Sequence, residues 1–370
     1  MRRLSPRQTL ALVAALGPAI GAVLWGLVQP EVQGSAFALA FKLMCASGIA
    51  GGFWLLGHRR VIPQFIARRL VALVIVWIGA ATLVFSALRM APGDPVEAIL
   101  GEQASAEARA ELTEALCLNA PWVIQYNDCF WDTVFDGSLG MTFDTQPEPV
   151  IDRLAEHIPA TVELALAGLA VALTLAFPLG LIAALKRATW IDHGATAFAL
   201  VGVAVPTFWL GPMLLLAFTV GVDWLPNPGQ TDRPVAALVL PAITLGTALA
   251  AKLTRMIRSS VLEVLHEPFV VTARAKGLGE GVILVKHVLR NALIPVITVL
   301  GLQFGALLTG AIVTEKVFAR PGVGTLLLEA IQQRNYPLVQ GTVLVIATTY
   351  VLVNLITDVL YAFADPRVRL

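Results

Sequence analysis

The sequence predicts an all-α, polytopic membrane protein with eight transmembrane helices, and three observations carry that prediction. Hydrophobic residues fill 57% of the 370 positions and charged residues only 14%, where a soluble domain carries about 25% charged residues. The mean hydropathy is +0.77. The apolar residues gather into unbroken runs of roughly 20, the length a helix needs to cross ~30 Å of hydrocarbon. Backbone polar groups cannot stay unpaired in lipid, so such runs are helices. A barrel would alternate with a period of two instead.

The runs lie at 9–28, 36–57, 70–89, 160–185, 194–221, 235–254, 291–313 and 338–363. The first follows Arg2, Arg3 and Arg7 and superficially matches a signal peptide, with the small Gly34 and Ala36 beyond it. Its length favours an uncleaved anchor. The second contains Cys45, which reads as a packing residue, and ends on His58, Arg59 and Arg60. The third follows Arg68 and Arg69, and the fourth ends on Lys186 and Arg187. Between the sixth and seventh runs, 252–290 holds seven Lys/Arg against three Glu, and Arg367 and Arg369 follow the last run. Eight crossings place all these cations on one side, which the positive-inside rule makes cytoplasmic, with both termini there. The other side receives 90–159, with thirteen Asp/Glu against two Arg. The formal net charge is only +1, and no nucleic-acid partner is expected.

The outer segment 90–159 reads as folded. Glu107 to Leu116 forms a short helix, and Leu112, Leu116, Trp122, Tyr126, Phe130, Trp131 and Phe135 supply an apolar interior. Cys117 and Cys129 stand twelve positions apart on the side where thiols are oxidised. Two readings stand: a disulfide worth about 3 kcal/mol to this loop, or two separate buried thiols.

Several chemistries are excluded. No Gly-Lys pair occurs, so the chain has no Walker A phosphate loop. His266-Glu267 begins like a zinc-protease motif but lacks its second His, and the cysteines form no zinc pattern. Gly137-Ser138-Leu139-Gly140 lacks the first glycine of a nucleophile elbow. No metal site is expected. Glu163 and Asp358 are the main acids within runs, with Gln303 and Asn354 as polar company. Intramembrane acids serve proton-coupled carriers, but Glu163 also reads as a first-turn acid complementing a helix dipole. Pro178, Pro206 and Pro212 are either bending points or prolines tolerated in packed spans.

The cytoplasmic stretch 263–295, EVLHEPFVVTARAKGLGEGVILVKHVLRNALIP, reads as two short helices around a glycine turn. Pro268 suits a first helical position, and Phe269, Val270, Val271 and Ala273 give an apolar face. Gly277 is placed to end the helix with positive φ, Leu278 to Gly281 forms a loop, and Val282 to Leu293 leads into the seventh span. The small residues Thr272, Ala273 and Ala275 would let the helix enter a partner's groove; a basic loop touching lipid headgroups is the alternative.

These residues resemble the EAA loop of ABC importer permeases, in the peptide/nickel branch, whose pattern runs TARAKGL…HxLRNALxP. Thr272-Ala273-Arg274-Ala275-Lys276-Gly277-Leu278 and His287-Val288-Leu289-Arg290-Asn291-Ala292-Leu293-Ile294-Pro295 stand at the matching spacing. Val271 and Arg290 depart from the general loop's Glu and Pro, as is usual in that branch. Arg89-Met90-Ala91-Pro92-Gly93-Asp94-Pro95, Asp136 to Gly140, Ile158 to Leu164, Pro206 to Gly211, Val317 to Gly324, Asn335 to Gly341 and Asp365-Pro366-Arg367 resemble further family runs in the family's order. Cys117 departs, standing where the family usually has glycine.

The resemblance implies a type I ABC importer permease core of six transmembrane helices at 64–370, with external segment 90–159 and cytoplasmic coupling loop 255–290. Residues 1–60 would add two further N-terminal spans. It also implies that Val271, Thr272, Ala273, Arg274, Ala275, Lys276, Gly277 and Leu278 couple to an ATPase. The expected partners are a second homologous permease, two cytoplasmic ATP-binding subunits, an external solute-binding protein and the lipid membrane. ATP-Mg would sit on the partner ATPases, with no cofactor on this chain and no catalysis by it. The implied function is passage of peptides or related small solutes across a bacterial cytoplasmic membrane by alternating access. A nickel-chelate or glutathione importer subunit of the same family, a proton-coupled peptide carrier and a membrane scaffold are the alternatives.

Overall fold

A computed structural model describes residues 64–364, apart from 92, 102–103, 144–146 and 231. The runs expected at 9–28 and 36–57, Cys45, the cations around those runs, and Asp365-Pro366-Arg367 lie outside the described residues, as does the side chain of Asp358.

The described chain is helical, its one β-bridge joining Met141 and Pro149. Helix α1 is Gln64–Met90, α2 is Pro95–Leu100 and α3 is Ala106–Ala115. Helix α4 covers 122–136, with a π-helical stretch at Gln125–Phe130. Then come α5, Val150–Leu185, α6, Trp190–Ala204, and α7, Thr207–Gly221, whose second half is π-helical. Helix α8 is Pro234–Leu265 and α9 is Pro268–Ala275. Helix α10 spans 280–317 and turns π-helical over Ile283–Leu289. Helices α11, Val323–Gln332, and α12, Tyr336–Ala364, close the chain. Among the described residues four helices are long and apolar enough to cross a membrane, and five if α6 and α7 form one broken span. The run at 70–89 corresponds to the shorter apolar stretch Val74–Met90.

Two expectations need correction. The run 194–221 is not one helix: α6 and α7 meet at 101°. Pro206 lacks the N–H that would continue the ladder, and a residue before proline is pushed out of the helical region; Val205 has ψ 118° and Pro206 ψ 137°. Pro178 and Pro212, by contrast, lie within helices. The second correction concerns α5, which starts at Val150 rather than near 160. Glu163 therefore lies well inside the helix, and Asp152 is the first-turn acid.

The described residues form two compact units, one of 64–159 with Thr325–Val351, the other of Ala160–Gly324 with 352–364. In the first, the outer segment has its own small core of Val96, Leu112 and Leu116. Asp94 caps α2 by accepting from the Val96 N–H at 2.9 Å, and Ser105 caps α3. Phe85 on α1 meets Tyr126 and Phe130 of α4 with ring centroids 5.1 and 5.9 Å apart, and Trp77 meets Trp131 at 5.3 Å. Arg89 lies 3.8 Å from the Phe85 ring centre and donates from Nε to Gln125 at 2.6 Å. The backbone turns at Gly137 and Gly140 have positive φ. Gly341 of α12 packs here, where a Cβ would lie 2.6 Å from Val150 Cγ1. The runs DGSLG and NYPLVQG therefore meet in space.

In the second unit, α8 is the central helix. Its Leu245, Leu249, Leu253, Ile257 and Val261 join Leu164, Ala172 and Ala176 of α5 and Ile283, Val288, Ala292 and Val296 of α10 in one core. Small residues let backbones approach where lipid supplies no hydrophobic drive. A Cβ on Gly246 would lie 2.5 Å from the Gly168 carbonyl, and one on Gly202 would lie 2.9 Å from Ala251 Cβ. Both α5 and α6 thus clamp α8.

Candidate functional site

At one end of α8 the chain turns at His266 and starts α9 on Pro268. Proline fits there because the first-turn N–H groups have no intrahelical partners. Thr272 Oγ1 donates back to the Pro268 carbonyl at 3.0 Å. The helix ends where the Gly277 N–H reaches the Arg274 carbonyl at 2.9 Å and the Leu278 N–H reaches that of Ala273 at 3.3 Å. Gly277 has φ +75°, a conformation closed to β-branched residues.

The faces of this eight-residue helix divide cleanly. Val270 and Ala273, three apart, are buried and join the core of α8 and α10. Phe269, Val271 and Leu278 are 40%, 58% and 40% exposed, large apolar side chains on a polar loop. Thr272, Arg274, Ala275, Lys276 and Gly277 are exposed with them. Ala273, expected among the contact residues, instead turns inward and seats α9 on its own chain. Across the turn Arg274 is ion-paired to Glu280, Nε donating at 2.7 Å and Nη2 at 3.1 Å. Its hydrogen bonds to that carboxylate raise the guanidinium pKa above its ordinary value. Helix α10 begins at Glu280, two residues earlier than expected, taking in Glu280 and Gly281 of the expected loop.

The neighbouring turn 186–189 is fastened to α8 by a pair that the sequence does not announce. Asp192, 3% exposed, accepts from Arg258 Nε at 2.5 Å and Nη2 at 2.8 Å, and from the Ala188 N–H at 2.9 Å.

At the opposite end of α8 and α10, beside the middle of α5, lies a second polar cluster. Glu315 is fully buried; it accepts from Thr161 Oγ1 at 2.6 Å and from the Gly324 N–H at 2.8 Å. Thr161 in turn accepts from the Val323 N–H at 2.8 Å. The run ARPGVG is therefore folded around this carboxylate, and a Cβ on Gly322 would collide with it. Glu163, half-exposed, pairs with Arg320 Nη2 at 2.7 Å. Sequence reasoning singled out Glu163 but passed over Glu315, Asp192 and Arg258.

Cys117 and Cys129 are joined as a disulfide in the outer segment. Among the described residues no group of three His, Cys, Asp or Glu side chains is placed to hold a metal ion.

Family models match most of the chain. The model described as binding-protein-dependent transport system inner membrane component matches residues 176–370, and the model of its N-terminal part matches 62–165. A dipeptide transport system permease protein of Alkalihalophilus pseudofirmus is 41% identical over 328 residues, 82% of this chain and 98% of the relative. A di/tripeptide transport system permease protein of Pseudomonas aeruginosa is 42% identical over 333 residues, covering 83% and 98%. The dipeptide transport system permease protein of Escherichia coli K12 is 40% identical over 336 residues, also covering 83% and 98%. Among solved structures, the inward-facing MetNI methionine ABC transporter aligns with a TM-score of 0.49 at 18% identity, over 59% of this chain and 99% of that one. That is a weak likeness; the sequence matches are the strong ones.

Proposed function

The chain belongs to the binding-protein-dependent transport inner membrane component family, as a multi-pass permease subunit of an ABC peptide importer, and from that premise we propose that α9 is where ATP-hydrolysing partners drive it. One observation carries this reading. Helix α9 is anchored through Val270 and Ala273 while Phe269, Val271 and Leu278 face outward. Exposed apolar side chains on an otherwise polar loop mark a protein contact. The residues Val271, Thr272, Arg274, Ala275, Lys276, Gly277 and Leu278 form the outward side, and Ala273 positions it.

Mechanically, α9 joins α8 to α10, so a push on α9 reaches both of these core helices. Swinging a two-state cavity from 1:99 to 99:1 needs a bias of about 5.5 kcal/mol. In this reading the partners bind ATP-Mg and hydrolyse it, and the permease converts their closure into alternating access. The transported solute is a peptide, delivered by an external binding protein. The distribution of Lys and Arg supports a cytoplasmic α9 and cytoplasmic termini. The outer segment 90–159, together with 223–233 and 315–336, would then receive the binding protein. The pairing of Glu163 with Arg320 supports a structural rather than proton-carrying role for that acid.

The test is Gly277→Val. Nothing lies within 4 Å of a Cβ at Gly277, so the substitution creates no clash and acts through φ alone. Expected are normal membrane insertion and a loss of at least tenfold in uptake and in substrate-stimulated ATP hydrolysis. Gly277→Asn, a residue that tolerates positive φ, should restore most of both. Normal uptake by the valine variant would remove α9 from the coupling path.

A further inference from the structure

A cleft of about 790 Å³ opens between the end of α7 and the first turns of α8. Its walls include Phe218, Trp224, Val235, Val239 and Ile243, and Arg233 is the one charged residue among those that line it. Trp224 is 68% exposed and Val235 78%. Among the described residues the Arg233 guanidinium has no hydrogen-bond or ion-pair partner.

Depth gives this cleft its meaning. Arg233 immediately precedes Pro234, the first residue of a membrane-crossing helix. The apolar run of α8 starts at 235, which sets Arg233 at the border of hydrocarbon and headgroups, the level at which Trp is enriched and cationic side chains collect. Trp224, packed against Phe218 at 6.2 Å, belongs to the same level. From Arg233 to Ile243, α8 advances by about 15 Å at 1.5 Å per residue. That is half of the ~30 Å core, the depth of a single leaflet.

We propose that this cleft holds one phospholipid of the leaflet opposite α9, with its phosphate on Arg233 and an acyl chain against Val235, Val239 and Ile243. A guanidinium meets two phosphate oxygens at once with a planar fork of donors. The concave apolar wall below it takes a chain of one leaflet's length, which ordinary convex helix surface does not. A second permease in the same place would have to bring an acid to Arg233 or leave a buried cation unpaired, which is costly.

Native mass spectrometry of the assembled transporter, purified in detergent and supplied with phosphatidylglycerol, tests the proposal. One lipid per complex should survive activation that strips the others. Arg233→Gln should lower its occupancy at least tenfold. Val239→Trp, which narrows the cleft where the acyl chain would lie and keeps the cation, should do the same. Leu83→Trp, on an exposed position of α1 that does not line the cleft, should leave occupancy unchanged. Two variants acting by different means guard against a failure to assemble, since only intact complexes are weighed. Equal retention in all four proteins, or no retained lipid in the wild type, would mean passing bilayer lipid only and overturn the proposal. Efficient cross-linking of Val239→Cys to the second permease would overturn it too, by assigning the cleft to a protein.

Discussion

Asp192 ties three segments together with one carboxylate: α6 through its own position, α8 through Arg258, and the 186–189 turn through the Ala188 N–H. Ala188 has φ 60°, a left-handed conformation unfavourable for alanine, and that hydrogen bond helps to hold it. Removing one member of a fully buried pair costs about 3–5 kcal/mol, but the Arg258 side chain is 30% exposed and water screens it. Asp192→Asn should therefore cost about 1–2 kcal/mol, seen as a lower melting midpoint of the purified complex. Adding Arg258→Gln should recover part of that loss; a midpoint unchanged by the single substitution would make the pair ornamental. Glu315 has a sharper consequence. Replacing it by Gln puts an amide where the Thr161 hydroxyl and the Gly324 N–H both donate, and hydrogen bonds to a charged group are worth about 1.5–3 kcal/mol each. Amide exchange should quicken at 322–324 in Glu315→Gln. Unchanged exchange there would mean that the turn holds its shape without the carboxylate. These residues also mark the limit of what a sequence reveals. Pro268 and Gly277 were readable because their reasons are local, a missing N–H and a positive φ. Asp192 and Arg258 lie 66 residues apart, and Thr161 and Glu315 lie 154 apart. Only the folded helices bring such partners together.

At the scale of elements, apolar runs reported where helices lie but not how far they extend. Helix α5 begins ten residues before the run at 160–185 because Val150 to Pro159 alternates buried Val150, Ile151, Leu154 and Ala155 with polar neighbours. Such an amphipathic stretch is a helix without being a membrane run. The 101° break between α6 and α7 escaped a composition-based reading because both halves are equally apolar, although Pro206 marked its position. Proline at the corner makes a straight helix unavailable, so Pro206→Ala should restore that option. Spin labels at the far ends of α6 and α7 should then show a longer, broader distance distribution, accompanied by slower uptake. A distribution identical to the wild type would assign the bend to packing rather than to proline. The π-helical stretches in α4, α7 and α10 had no signal in the sequence, since one inserted residue leaves the apolar pattern intact over a short helix.

For the whole molecule, the permease works only between partners, and its outer segment supplies the clearest remaining test. That segment has its own core, a disulfide between Cys117 and Cys129 and an aromatic contact with α1. It therefore presents its surface as a firm body rather than as a loop that must be ordered on contact, which spares the entropy of ordering at the encounter. On that surface Trp122, Val123 and Phe135 are 56%, 70% and 60% exposed. Interfaces draw most of their energy from a few such aromatic anchors, with about 2 kcal/mol or more lost when one is truncated. If the binding protein seats here, Trp122→Ala should weaken its association about thirtyfold. The variant should leave membrane insertion and basal ATP hydrolysis by the assembled complex unchanged. Hydrogen exchange in the loaded complex should slow over 90–159, 223–233 and 315–336 and stay the same around α9. Loss of affinity without protection would mean that Trp122 acts by shaping its own segment. Unaltered affinity together with absent protection would place the delivery surface elsewhere, with these aromatic side chains facing lipid at the membrane border.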